Sequence, residues 1–243
     1  PNILQENCAS GGRRIDIEMI SRAHVYCRSD YFIGQKPHDT AFILGQNATL
    51  NLSPYLPFQG CEFNCVPIGD DYGAFSIISS GTVITPSDFD GGILKRTFAD
   101  SETAWFKKIF NVAARMRPFY MGDFYPLTGA GNDLWCAWQC HRPDLQAGFA
   151  LFFRRADAKE DSRAFKLGGI DSDAAYHVET YGGSDQSVKG AELENLTVKL
   201  DPRSFRLIFE VLAKPPRDMG VPPMKHGQDA RATPARKGFC RIF

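Results

Sequence analysis

The residue pattern predicts an α/β chain in two structured parts: half of a (β/α)8 TIM barrel over residues 1–118, then an antiparallel β-sandwich over 119–213. Three observations carry this. Residues 1–118 alternate short extended stretches with helical ones, as parallel βαβ units do, and four such units at this spacing make half a barrel. From Phe119 onward, short apolar runs alternate with Gly, Asp and Pro turns at near-regular spacing, which suits an antiparallel sandwich. The segment 214–243 is different again. Between Pro215 and Phe243 six Lys or Arg face two Asp with almost no aliphatic periodicity, which predicts a disordered basic tail.

Residues 2–4 begin an apolar stretch that runs into a loop at Cys8. A helix is expected to start at Asp16, a good N-cap, with Glu18 in the first turn where the helix dipole favours an acid. Residues 25–31 read as extended, and a polar turn over 34–39 precedes further extended pieces at 40–44 and 48–55. The segment 72–78 fits helix or strand, and 81–86 reads as a strand from Thr82, Val83, Ile84 and Thr85. The clearest helix is 101–116, where Trp105, Ile109, Val112 and Met116 form one stripe and Lys107 and Lys108 lie off it. In the sandwich, strands are expected at 135–140, 148–154, 176–180 and 205–211. The first of these lacks a polar face, so both its sides are expected to be covered.

Of the 243 residues, 43% are apolar and 12% aromatic, including 19 Phe, enough for a substantial core. Zero net charge and a pI near 7.3 argue against nucleic acid or an anionic membrane as a partner. No run approaches the ~18 apolar residues that span a bilayer. Seven cysteines, an odd number in a chain too long to need stapling, fit reduced thiols in a cytoplasm.

The residues that bear chemistry lie near the start. In Glu6-Asn7-Cys8-Ala9-Ser10-Gly11-Gly12-Arg13-Arg14-Ile15-Asp16, paired glycines let backbone amides come close to a ligand. A thiol such as Cys8 can pack on a sugar ring or hydrogen-bond weakly. Asp30 follows the strand-like Val25-Tyr26 pair, which puts a carboxylate at the carboxyl end of a barrel strand, where catalytic groups of such barrels gather.

These two stretches, with Cys27-Arg28-Ser29-Asp30, resemble the second half of the active site of melibiase-type retaining α-galactosidases, glycoside hydrolase family 36. The spacing agrees without a gap from Cys8 to Asp30. In that family a Cys-x-Ser-Gly-Gly stretch touches the sugar and an Arg/Trp-x-Ser-Asp stretch supplies the acid/base. The resemblance therefore implies hydrolysis of terminal α-galactosides with Asp30 as acid/base, Cys8, Ser10 and Gly11 in the sugar subsite, and Arg14 and Asp16 as a structural pair holding the loop. Retention of this kind uses two carboxylates ~5–5.5 Å apart, one a nucleophile and one an acid and then a base. A general acid for this step needs a raised pKa, which partial burial and the partner carboxylate supply.

Ile15 stands for the family's Phe, Arg13 for a frequent third Gly, and Cys27 for the Trp of many members; the last bears on substrate choice. Arg28-Ser29-Asp30-Tyr31 has the form of one bacterial branch. Downstream, Arg117-Pro118-Phe119-Tyr120-Met121-Gly122-Asp123-Phe124-Tyr125-Pro126-Leu127 is similar to the family's barrel–sandwich junction. Trp135-Cys136-Ala137-Trp138-Gln139, Phe152-Phe153-Arg154-Arg155, Leu167-Gly168-Gly169-Ile170-Asp171 and Lys189-Gly190-Ala191-Glu192-Leu193 are similar to its sandwich. The family's nucleophile, an Asp in a Lys-Trp-Asp-like motif on an earlier strand, has no counterpart here. The resemblance thus implies the C-terminal part of a longer enzyme, inactive alone, with the N-terminal half as its partner, an α-galactoside or related oligosaccharide as substrate, and homo-oligomerisation left open. No metal or organic cofactor is implied. The alternative is a non-catalytic carbohydrate-binding remnant.

Other readings are weaker. Cys61/Cys65 and Cys136/Cys140 have a zinc-like spacing, but Cys136, Trp138 and Cys140 share one face of a strand, which suits packing. Cys8 with His24 or His38 could form a thiol nucleophile and base, though nothing in the spacing brings them together. Trp135 and Trp138 fit a core better than a sugar platform. Residues 219–233 resemble the translated product of a repetitive bacterial DNA element, and the tail is assigned no function.

Overall fold

A computed structural model describes residues 4–8, 11–30, 39–56, 58–60, 63, 66–82, 98–131 and 133–213. Ser10, Tyr31, His38, Cys61, Cys65, the greater part of the 34–39 turn, residues 83–86 of one expected strand and the tail 214–243 lie outside the described residues.

Three short strands open the chain and run parallel in chain order: β1 (Glu6–Asn7), β2 (Val25–Cys27) and β3 (Gln59–Gly60). Helix α1 (Ile17–Ile20) connects the first two, and Asp16 caps it, its Oδ1 accepting from the Met19 amide at 2.9 Å. Helix α2 (Asp39–Leu52) precedes β3, and α3 (Asp71–Ile77) follows it. After α3 the chain returns beside β3, where the Gly81 amide donates to the Gln59 carbonyl at 3.0 Å. Helix α4 (Asp100–Met116) completes this part and buries Ile109, Val112 and Met116, with Trp105 half-buried on the same stripe. Each such side chain contributes about 1.5–3 kcal/mol when fully buried.

The two extended pieces expected at 40–44 and 48–55 are instead one helix, α2. Its buried face is Ala41, Phe42, Gly45, Gln46, Thr49 and Leu50. Gln46 and Thr49 are polar yet wholly interior, so the face has helical spacing without an apolar period to reveal it. Gln46 Nε2 donates to Tyr72 Oη at 3.1 Å and to Ser76 Oγ at 2.9 Å, which is how a buried amide is tolerated. Helix α3 is ambiguous in sequence because it is buried on nearly every side, Tyr72 through Ile77.

A 3₁₀ turn, Arg117–Met121, leads into the antiparallel part. Its strands are β4 (Asp123–Pro126), β5 (Trp135–Arg142), β6 (Ala147–Arg154), β7 (Ser162–Phe165), β8 (Ala175–Thr180), β9 (Gln186–Lys189), β10 (Leu196–Lys199) and β11 (Ser204–Leu212), with a short helix α5 (Gly190–Leu193) between β9 and β10. Six of them form one sheet in the order β4-β5-β6-β11-β8-β9, and β7 pairs with β10 in a second. The central strands β5 and β6 of the large sheet are covered on both faces, while the outer strands β4 and β9 are largely exposed. Trp135, Phe152, Tyr176 and Ile208 pack against Phe165 and Val198 of the small sheet. Cys136, Trp138, Phe149, Phe153 and Leu207 pack against Phe42, Phe75, Ile109 and Met116 of the helices. Two covered faces explain why β5 and β6 read as unbroken apolar runs.

One core therefore joins the helices to the large sheet, and charged side chains stitch its edges. Arg155, after β6, donates to Gln46 Oε1 at 3.0 Å and Asn47 Oδ1 at 2.8 Å on α2. Arg203, in the turn before β11, pairs with Asp39 at 2.7 Å and Asp70 at 2.8 Å. Asp71 on α3 accepts from Trp105 Nε1 at 2.6 Å, Tyr181 Oη at 2.7 Å and Lys108 Nζ at 3.1 Å. Among the described residues no helix is long and apolar enough to cross a membrane.

Candidate functional site

The parallel register pairs Glu6 with Val25 and Asn7 with Tyr26, so one step further Cys8 and Cys27 stand side by side at the carboxyl ends of β1 and β2. Asp30 follows three residues later. One Sγ from each cysteine and a carboxylate oxygen of Asp30 all lie within 4.8 Å of one another. Cys8 and Asp30 are exposed and Cys27 is half-buried, so the partial burial expected of the acid/base is not met at Asp30 among the described residues. The fold has thus brought together residues that are 22 positions apart in the chain, Cys8 and Asp30.

Gly11 and Gly12 hold the loop against this cluster. Both adopt left-handed backbone, with φ of 66° and 85°. A Cβ on Gly11 would lie 2.4 Å from the Asp30 nitrogen and 3.0 Å from its Cγ, and one on Gly12 would lie 2.7 Å from the Arg28 carbonyl oxygen. Glycine is needed twice over, for conformation and for contact. The loop is closed by Asn7, whose Nδ2 donates to the Arg14 carbonyl at 2.7 Å. Arg14 enters through its backbone, and Asp16 caps α1. The two hold the loop at separate points, and no ion pair joins them.

Beneath the cluster lies Arg28, which is 6% exposed. Its guanidinium donates to Thr49 Oγ1 at 2.8 Å, Gln59 Oε1 at 2.9 Å and the Ile77 carbonyl at 3.1 Å. It thereby ties β2 to α2, to β3 and to the end of α3. Tyr26, next but one in the strand, donates to the Met19 and Ala23 carbonyls, both at 2.8 Å, and fixes α1 on β2. Burial raises its phenol above the ordinary value, with the hydrogen bond to Ala23 opposing. The structural role of Arg28 and the partnership of Cys27 with Cys8 escape sequence reasoning. Arg28 is visible only as part of the Arg-Ser-Asp motif, and Cys27 only as a departure from Trp.

The competing sites fare differently. His24 precedes β2 and accepts from the Gln5 amide through Nδ1, so it stands at the opposite end of the parallel strands from Cys8. Cys136 and Cys140 are interior side chains facing the helices, and burial pushes the Cys136 thiol up to about 12. Trp135 and Trp138 are each 1% exposed, on opposite faces of the sheet, so neither offers a platform to solvent. Ser10 is outside the described residues.

No protein-family sequence model and no curated protein sequence matches the chain. Solved structures do match, and they share the fold of family 36 α-galactosidases. The galactosidase domain of an α-galactosidase–sucrose kinase aligns with a TM-score of 0.67 at 17% identity, over 87% of this chain and 29% of that one. A family 36 α-galactosidase from Geobacillus stearothermophilus gives a TM-score of 0.67 at 20% identity, over 86% and 29%. The α-galactosidase from Lactobacillus brevis gives 0.65 at 17%, over 88% and 30%. Variants of the Geobacillus enzyme have been solved with raffinose and with stachyose. The chain spans less than a third of the length of each of these structures.

Proposed function

We propose that this chain supplies the acid/base half of a site that hydrolyses terminal α-galactosides with retention. One observation carries the reading. Asp30 stands at the carboxyl end of a parallel strand, beside Cys8 and packed under Gly11, in a chain that shares its fold with α-galactosidases. Asp30 protonates the leaving oxygen, then takes a proton from the water that opens the glycosyl–enzyme ester. Cys8, Ser10 and Gly11 line the subsite for the terminal galactose. Arg28 does not meet the sugar but keeps β2, and hence Asp30, at a fixed height.

In this reading residues 1–118 are the C-terminal half of the barrel and 119–213 its sandwich. The nucleophilic Asp comes from an earlier barrel strand outside these 243 residues, placed beside β1. Raffinose and stachyose, held by structural neighbours, are the oligosaccharides to try first.

The test is turnover of a chromogenic α-galactoside by the chain alone and by the chain joined to the polypeptide encoded upstream of it. Activity in the joined form only, abolished by Asp30→Asn, is the expected result. Turnover that survives Asp30→Asn would overturn the assignment. Galactose binding without turnover in either form would instead identify a carbohydrate-binding module.

A further inference from the structure

The convergence of Cys8, Cys27 and Asp30 makes sense chemically in a second way. Two thiols and a carboxylate are a donor set for a zinc-class cation, which takes Cys Sγ at about 2.3 Å and carboxylate oxygen at about 2.0–2.2 Å in a tetrahedron. In such a tetrahedron the ligand atoms stand roughly 3.5–3.8 Å apart. Here they fall within 4.8 Å of one another. The remaining contraction is of the order of 1 Å, a change of rotamer at the exposed Cys8. The other two donors are held by backbone. Cys27 lies in β2, and Gly11 and Gly12 press on the main chain from Arg28 to Asp30. Neither cysteine is in a disulfide.

We propose that Cys8, Cys27 and Asp30 form a binding site for zinc or its softer congener cadmium at the carboxyl ends of β1 and β2, with the fourth position open to water. Sequence spacing hides this site, because its cysteines are separated by 18 residues and only the parallel pairing unites them. Binding displaces the two thiol protons to solvent. Occupancy also engages the carboxylate of Asp30, so the cation competes with proton transfer there. That consequence rests on the reading of Asp30 proposed above, whereas the site itself does not.

The experiment is a titration of the reduced chain with Cd2+, followed by thiolate-to-cadmium charge-transfer absorption in the ultraviolet. Cys61, Cys65 and Cys240 are first replaced by Ser, and Cys136 and Cys140 stay sequestered in the core. The expected result is saturation at one equivalent, displacement by Zn2+, and at least about tenfold weaker binding in each of Cys8→Ser, Cys27→Ser and Asp30→Asn. Circular dichroism of each variant without metal separates loss of a ligand from loss of fold. Absorption that is absent, or that persists unchanged when Cys8 and Cys27 are both Ser in a folded chain, would overturn the site. Undiminished affinity in Asp30→Asn would overturn the carboxylate's part. None of these readings depends on glycoside turnover, so failure of the enzymatic reading leaves them intact.

Discussion

Consecutive left-handed residues at Gly11 and Gly12, with φ of 66° and 85°, are the local cost of bringing a loop onto the Asp30 backbone. Alanine at position 11 meets both a strained φ and a Cβ contact of 2.4 Å with a main-chain nitrogen that cannot swing aside. Gly11→Ala is therefore expected to cost about 1–3 kcal/mol of stability, read as a lower urea midpoint. An unchanged midpoint would show that the loop does not press on Asp30. Gly69, also left-handed with a φ of 93° but with nothing within 4 Å of a Cβ, is the control for strain without contact, and its alanine variant should lose less. At this scale the candidate site was legible where residues are close in sequence. Cys8, Gly11 and Asp30 all emerge from their motifs, and Asp16 emerges as a cap. The structural role of Arg28 and the place of Cys27 beside Cys8 do not, since a buried guanidinium bonded to Thr49, Gln59 and Ile77 from three other elements leaves no local pattern, and only the parallel pairing unites the cysteines.

Helices divide by how their buried faces are made. On α4 the interior stripe is apolar and the outer face charged, so period and position agree with the structure almost residue for residue. Ile109 is fully buried and Lys107 exposed. Ile109→Ala should cost about 2–5 kcal/mol, whereas Lys107→Ala should stay within about 0.5 kcal/mol of the parent, both by urea unfolding. Equal effects of the two would mean that α4 does not dock as described. On α2 the interior face mixes Phe42 and Leu50 with Gln46 and Thr49, and α3 has almost no outer face, so the sequence pattern reads one as strand and leaves the other open. Four strands of the large sheet, β5, β6, β8 and β11, were legible for the opposite reason, whereas the short, largely exposed β4 and β9 were not. Apolar runs bounded by turns admit few alternatives, and in β5 and β6 the cover on both faces explains the lack of alternation.

Across the whole molecule, acids in strong hydrogen bonds govern how stability depends on pH. Burial would raise the Asp71 pKa, but the hydrogen bonds from Tyr181, Trp105 and Lys108 together outweigh it and hold the carboxyl below its ordinary value. At Glu179 the ion pair with Arg115 acts first and also lowers the pKa. A carboxyl with a depressed folded pKa contributes stability that is present above its unfolded value, about 3.9 for Asp and 4.3 for Glu, and is lost as pH falls through the folded value. Glu210, wholly buried beside His141, has the opposite sign. Burial raises its pKa, so its contribution is present below the unfolded value and is lost as pH rises through the folded one. Asp71 also joins α3, α4 and the end of β8, so its charge state is felt by the core shared between the helices and the large sheet. Asp71→Asn should lower the urea midpoint at pH 7, and the gap to the parent should narrow as the pH falls below the unfolded carboxyl value of about 3.9, where the unfolded parent takes up its proton first. A gap of the same size above and below that value would mean that Asp71 acts through packing alone, and the acid sensitivity of the fold would have to arise elsewhere.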